Sequence, residues 1–279
     1  MMDKTYINNV SKYLCWVNTT FEAICEDVDG GTFTLPQNKI YYRGQACDNW
    51  ELTPSIFRKD ANGNYIDEHK ILKEASLILW NELSKMNTYL EKLVFLQHYG
   101  LRTRLLDVTF NPLIALYMAC CSNLDKNGIV FYGHNYEHTN VNIAEYTAEY
   151  IFTEDILQKN DEGVVNYASK KEKSISFFSK PIFIQSPINN PRIEAQNGAF
   201  IMAPLIKYNG AISYINRNSF ENSDFFDRRK CIIEANNKKN ILRELDILGI
   251  NKGSIYKGIC EKLETIMQRE ELNNNQLDA

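Results

Sequence analysis

Three stretches of the chain gather side chains able to do chemistry. The first is IYYRGQACDNWELTPSIFRK, residues 40–59. It puts Arg43 directly behind the β-forming run Ile40, Tyr41 and Tyr42, and follows it with Gly44 and Gln45. Arginine stays charged at any physiological pH, so its place at the end of an apolar strand suits a phosphate or carboxylate partner. Gly44 lets the backbone turn sharply or come close to another group. The second stretch, FLQHYGLRTRLLDVTFNPLIALYMAC, residues 95–120, crowds His98, Tyr99, Arg102, Thr103, Arg104, Asp107 and Thr109 between two apolar segments. Leu105, Leu106 and Val108 read as the core side of a short strand that aims Asp107 and Thr109 at a following helix. That helix opens with Asn111 as its cap and Pro112 at its first position, and its free N–H groups attract anions. The third stretch, NNPRIEAQNGAF, residues 189–200, places Arg192, Glu194 and Gln196 in alternation. In an extended strand these three face one side, where a carboxylate and an amide can hold a sugar diol.

Each stretch also has a structural reading. An Arg104–Asp107 ion pair can hold a loop, with Thr109 and Asn111 as capping residues. His98 at a helix end suits either a general base or a backbone-bonded structural role. Arg192 and Glu194 can form a surface pair while Gln196 caps a turn. His69 reads as a solvated helix-face residue. His134 and His138 are four apart, but in a strand-to-loop segment that spacing does not align them, and no metal is expected there. Glycine-rich nucleotide loops of the GxGxxG and GxxxxGK[ST] types are absent, as are GxSxG and HExxH.

The elements that must carry these residues can be read from periodicity. Helices are expected over 5–25, 66–85, 88–98, 111–122, Ile143–Leu157, 240–248 with Gly249 just beyond, and 254–269; strands over 40–42, 128–134, 181–186, 198–203 and 229–236. Residues 27–33 read as a turn and 270–279 as a frayed tail. With no repeat and no linker, the chain of 279 residues reads as a single α+β domain with small mixed or antiparallel sheets flanked by helices. A net charge of −4 announces neither a nucleic-acid binder nor a membrane binder. No apolar run reaches the roughly 18 residues needed to cross a bilayer. The opening MMDKTYINNVSKYL lacks a signal core, and the seven cysteines form no CxxC pair. A cytoplasmic protein with reduced thiols is therefore expected.

Taken together, YYRGQ with WELTPSIFR, QHYGLRTRLLDVTFNPLIALYMAC, RIEAQNGAFIM and ILRELDILGINKGSIYKGICEKLE resemble, in order, the blocks of the FRG domain family. The resemblance runs from about residue 38 to 265. Arg102 stands where proline is usual, Val108 where tryptophan is common, and Tyr256 and Lys257 where phenylalanine and proline are expected. The order of motifs is also similar to that of ADP-ribosyltransferases, over three short segments. That second resemblance implies a split sheet and a NAD⁺-dependent ADP-ribosyl transfer to nucleic acid or protein. It implies catalytic roles for Arg43, Thr109 and Glu194 or Gln196. It implies a NAD⁺-binding set of Arg43, Gly44, Gln45, His98, Tyr99, Thr103, Arg104, Asp107 and Thr109. Tyr41 and Tyr42, with His98 and Tyr99, would form a stacking wall. Several members of the FRG family sit in bacterial toxin-like or anti-phage loci. The resemblance therefore implies a toxin or effector, with an antitoxin or chaperone as possible partner, or a nucleotide- or RNA-binding module without chemistry.

Overall fold

A computed structural model describes residues 4–29, 40–58, 63, 66, 68–134, 141–153, 158–159, 165–166, 181–185, 191–203, 206–208, 211–213, 226–227 and 229–256. In chain order the elements are β1 (Lys4–Ile7), α1 (Val10–Asp29), β2 (Ile40–Gln45), α2 (Glu68–Ile78), α3 (Trp80–Leu83), α4 (Tyr89–His98), β3 (Leu105–Thr109), α5 (Pro112–Cys120), β4 (Gly128–His134) and α6 (Val141–Thr153). There follow β5 (Gln158–Lys159), β6 (Val165–Asn166), β7 (Ile182–Ile184), α7 (Pro191–Ala195), β8 (Gly198–Met202), β9 (Ile206–Tyr208), β10 (Ala211–Ser213), β11 (Lys230–Ile233), α8 (Lys238–Ile247) and α9 (Lys252–Tyr256). The architecture is α+β, as the sequence implies. The larger sheet has seven strands in the order β1-β11-β4-β2-β3-β8-β7, and a second sheet has four, β5-β6-β10-β9. Only the β1–β11 pair is parallel among the described strands of the larger sheet.

Period-two alternation decides which residues face which side of that sheet. Tyr41, Leu106, Val108, Ile129, Phe131, Ala199 and Ile201 pack together on one face. The opposite face is covered by two separate groups of helices. Tyr42, Val130, Tyr132, Cys231 and Ile233 pack against residues of α1, α5, α8 and α9. Leu105, Phe200, Met202, Ile182 and Ile184 pack against residues of α2, α4 and α6. Between these two helical groups lies the middle of the face, over β2, β3 and β8. There Asp107, on the same side as Leu105, is exposed between buried neighbours. A gap in the helical layer is what opens the site.

Two features draw that gap. β2 and β3 pair at one position, Tyr42 with Thr109, and at Arg43 the ladder gives way to a side chain: its Nη1 donates to the Asp107 carbonyl at 2.6 Å. On the other side of β2, Gly44 lies under α5, where an added Cβ would stand 1.9 Å from the Ala115 carbonyl oxygen. Gly128 meets the same helix, its added Cβ falling 2.2 Å from the Ala119 oxygen. The α5 helix is thus seated on two glycines of neighbouring strands, at a distance no other residue permits.

Several local expectations are met. Asn111 caps α5, its Oδ1 accepting from the Leu113 N–H at 2.9 Å, with Pro112 in the first turn. Gly100 and Gly249 follow α4 and α8 at φ +94° and +78°. Others are revised. Residues 4–7 form a strand before α1, because they complete the sheet edge beside β11. The helix expected over 66–85 is broken at Leu79, whose φ of −104° and ψ of 30° divide α2 from α3. His69 is half-buried rather than solvated, with Nδ1 3.0 Å from the Ile151 oxygen. The expected 27–33 turn is overturned at its start, since α1 continues to Asp29, and the expected 254–269 helix is described only to Tyr256; residues 30–33, 257–269, His138 and the tail lie outside the described residues.

Arg104 does not pair with Asp107. Its guanidinium is fully buried and grips the carboxylate of Glu68, at the start of α2, through Nε at 3.1 Å and through Nη2; Nη1 reaches the Ala203 carbonyl. The pair fastens the start of α2 to the residue that opens onto β3. Glu68→Ala is expected to leave a buried charge without its partner and cost about 3–5 kcal/mol of stability in urea unfolding. A loss under about 1 kcal/mol would show that water reaches the guanidinium.

Candidate functional site

The gap over β2, β3 and β8 is a cleft of ≈ 280 Å³. Its floor carries Tyr42, Asp107, Thr109 and Phe200. One wall is α5 with Ile114 and Met118; the other is α4 with Val94, Gln97 and His98. The i, i+3, i+4 spacing of these last three puts them on one helix face. Tyr99, one residue on, falls off that face: it is 70% exposed, contributes nothing to the lining, and packs edge-on against the His98 ring.

The third stretch is not a strand. Pro191, preset for a helical first turn, opens the short helix α7, and Asn197 at φ +45° ends it. Helical rather than extended spacing regroups its side chains. Arg192 and Gln196, four apart and joined by a backbone bond of 2.9 Å, both line the cleft. Glu194 points elsewhere and is exposed. Arg43, Thr109 and Gln196 therefore meet, and Glu194 stays outside. Thr109 Oγ1 donates to the Gln196 carbonyl at 2.6 Å and accepts from the Asn111 N–H at 3.0 Å, tying α7, β3 and the α5 cap together.

Gln97 was not among the residues singled out in the sequence, although the helical period places it beside His98. Its Nε2 donates to Asp107 Oδ1 at 2.7 Å, while its Oε1 accepts from the Thr103 hydroxyl. Thr103 is buried and does not line the cleft; it orients Gln97, which orients the carboxylate. Tyr41 is also removed from the site. It is buried on the opposite face, stacked on Phe183 with centroids 5.0 Å apart, and Tyr42 shows only 4% of its surface. The stacking wall expected from these tyrosines is core instead. Arg104, buried against Glu68, is outside the cleft as well.

Among the described residues, charge in the cleft is mostly positive. Arg43, Arg58 and Arg192 line it with Asp107. Burial lowers the proton affinity of Arg43 to about 10, with Asp107 opposing and Arg58 reinforcing the shift. The guanidinium remains charged at neutral pH and is held at an electrostatic cost. Arg58 is shifted down by burial and by Arg102. Arg192 lies over the Tyr256 ring, 4.8 Å from its centroid. Burial, then the charge of Arg192, lowers the His98 pKa and keeps the imidazole neutral at pH 7.

Four buried polar atoms on this lining have no hydrogen-bond partner among the described residues: Arg43 Nε, Gln45 Oε1, His98 Nδ1 and Gln196 Nε2. Buried polar atoms are ordinarily paired, and leaving one unpaired costs about 1–3 kcal/mol. In this cleft they are donors and acceptors open to water or to a polar ligand.

Residues 38–128 match the FRG domain. The FRG segment runs from β2 to the first residue of β4, so it brings Arg43, Gln97, His98, Asp107 and Thr109 in a single block. Arg192 and Gln196 lie past its end and close the cleft from α7. No curated protein and no solved structure matches the chain.

Proposed function

We propose that the FRG cleft binds NAD⁺ and transfers its ADP-ribosyl group to a nucleic-acid or protein acceptor. One observation carries the reading: unpaired polar atoms of Arg43, His98 and Gln196, from three separate stretches, converge on one cationic cleft. The guanidiniums of Arg43 and Arg58 suit the pyrophosphate. Thr109 and the Gln196 amide suit the hydroxyls of the nicotinamide-side ribose. The bond from the ribose C1′ to the nicotinamide nitrogen breaks, and nicotinamide leaves neutral with the electron pair. Positive charge passes to the sugar ring, where the Asp107 carboxylate, aimed by Gln97, stabilises it electrostatically. An acceptor oxygen or nitrogen then attacks C1′ and gives its proton to neutral His98. In this reading Asp107 takes the part expected of Glu194.

The test is incubation of the protein with labelled NAD⁺ and cell lysate. Label transfer with nicotinamide release supports the reading; folded protein that yields neither removes it. If the reading holds, the acid limb of kcat/KM lies below pH 6.5, because His98 must lose its proton and its folded pKa is depressed. That limb is expected to vanish in His98→Asn. The same depression makes the native state lose stability as pH falls below the unfolded value of about 6.5.

The exposure of Glu194 favours a second reading, a nucleotide-binding module without turnover. Calorimetric binding of NAD⁺ with no nicotinamide release would select it. The toxin or effector role implied by the resemblance predicts arrested host growth on induction, relieved by Arg43→Ala.

A further inference from the structure

Trp50 is an aromatic side chain of the cleft that no part of the transferase reading uses. It lines the cleft, and 42% of its surface is open. The other aromatic lining residues are committed: Tyr42 and Phe200 are buried, and Tyr256 carries Arg192 on its ring. Among the described residues no ring and no cation lies against Trp50.

Its place along the cleft is fixed by α5. Lining residues follow this helix from Ile114 through Met118 to Ser122, just past its end, a span of about 12 Å at 1.5 Å per residue. Thr109 and Gln196 belong to the Ile114 end, since Thr109 holds the Asn111 cap and the Gln196 carbonyl together. The other end is marked by Lys238. Its buried ammonium donates to the carbonyls of Ala46 at 2.7 Å and Ser122 at 3.1 Å, so the chain leaving β2 meets the end of α5 there. Trp50 follows four residues on, its N–H bonded to the Cys47 oxygen at 3.3 Å. Arg43 lies between the ends, next to Gly44 under Ala115 and Ala119.

We propose that Trp50 is the platform on which the base of an adenine nucleotide stacks, which fixes the ligand's direction along α5. The base lies at the Ser122 end, the phosphates at Arg43 and Arg58, and the distal ribose at Thr109 and Gln196. This rests on the NAD⁺ reading for its ligand class, and not on any turnover. A stacked base is recognised through its π-face, and losing the aromatic partner lowers affinity about tenfold or more.

Calorimetric titrations with ADP, ADP-ribose and ribose 5-phosphate test it. Trp50→Ala is expected to weaken ADP and ADP-ribose about tenfold or more, Trp50→Phe by less than about threefold, and ribose 5-phosphate, which has no base, not at all. Unchanged ADP affinity in Trp50→Ala overturns the platform while leaving the transferase reading standing. Equal weakening of ribose 5-phosphate overturns it too, since the cleft itself would then have collapsed. Trp50-dependent ADP binding without nicotinamide release supports the platform and removes the transferase reading.

Discussion

Arg43→Ala is expected to lower NAD⁺ or ADP-ribose affinity by about 10²–10³ while leaving the fold as stable as before. The first half follows from the chemistry of the guanidinium. Its unpaired Nε and half-buried position leave it free to make charge-assisted bonds to a phosphate, each worth about 1.5–3 kcal/mol. The second half follows from its cost. Burial lowers its pKa to about 10, so the group stays charged at neutral pH but its charge is less well stabilised than in water. Removing a cation held at such a cost forfeits one bond to the Asp107 carbonyl and relieves desolvation. Calorimetry alongside urea unfolding separates the two effects. Arg43→Lys, which keeps the charge and loses the planar fork, should fall between wild type and alanine in affinity. A variant that binds as tightly as wild type would move the phosphate site elsewhere; one that unfolds would make Arg43 a structural residue.

Gly44→Ala has the opposite signature. A Cβ 1.9 Å from the Ala115 oxygen meets helix backbone, which has no rotamer in which to retreat. Either α5 lifts from β2 or the strand bends. Both expose the cluster formed by Tyr42, Ala115, Ala119 and Val130. Overpacking of this kind costs 1–3 kcal/mol where side chains can adjust, and at least about 3 kcal/mol is expected here. The fold has about 5–15 kcal/mol in all. Denaturant unfolding measures the loss. Gly198→Ala serves as a comparison, since its added Cβ comes no closer than 3.3 Å to Ile193. If Gly44→Ala proves as mild as Gly198→Ala, the close seating of α5 is wrong. The adjacent pair thus divides its work: the arginine faces the cleft, and the glycine admits the helix that forms the cleft wall.

How much of this was legible in the sequence varies by stretch. The strand–cap–helix passage from Leu105 to Cys120 was readable because its signals are local: alternation, then Asn111 and Pro112 at fixed offsets. The Arg-Gly pair was readable as a strand end with a close approach, though not which helix approaches. The 191–196 segment misled because alternation of polar residues was taken at a spacing of two. A proline at its head makes the spacing helical, and with that change Gln196 joins Arg192 and Glu194 leaves. Arg104 and Asp107 stand three apart and invite pairing, but consecutive strand positions of different parity face different partners. Glu68, 36 residues earlier, was beyond any local signal. The gap between two helical groups could not be read from sequence, since it depends on which helices cover which half of the sheet.

The most direct test of the account is a crystal structure of the protein soaked with ADP-ribose. The account predicts density for the ligand over β2, β3 and β8. A phosphate oxygen should lie within hydrogen-bonding distance of Arg43 and a ribose hydroxyl beside Thr109 and Gln196. An empty cleft at saturating ligand, or density bound away from Arg43, would contradict it.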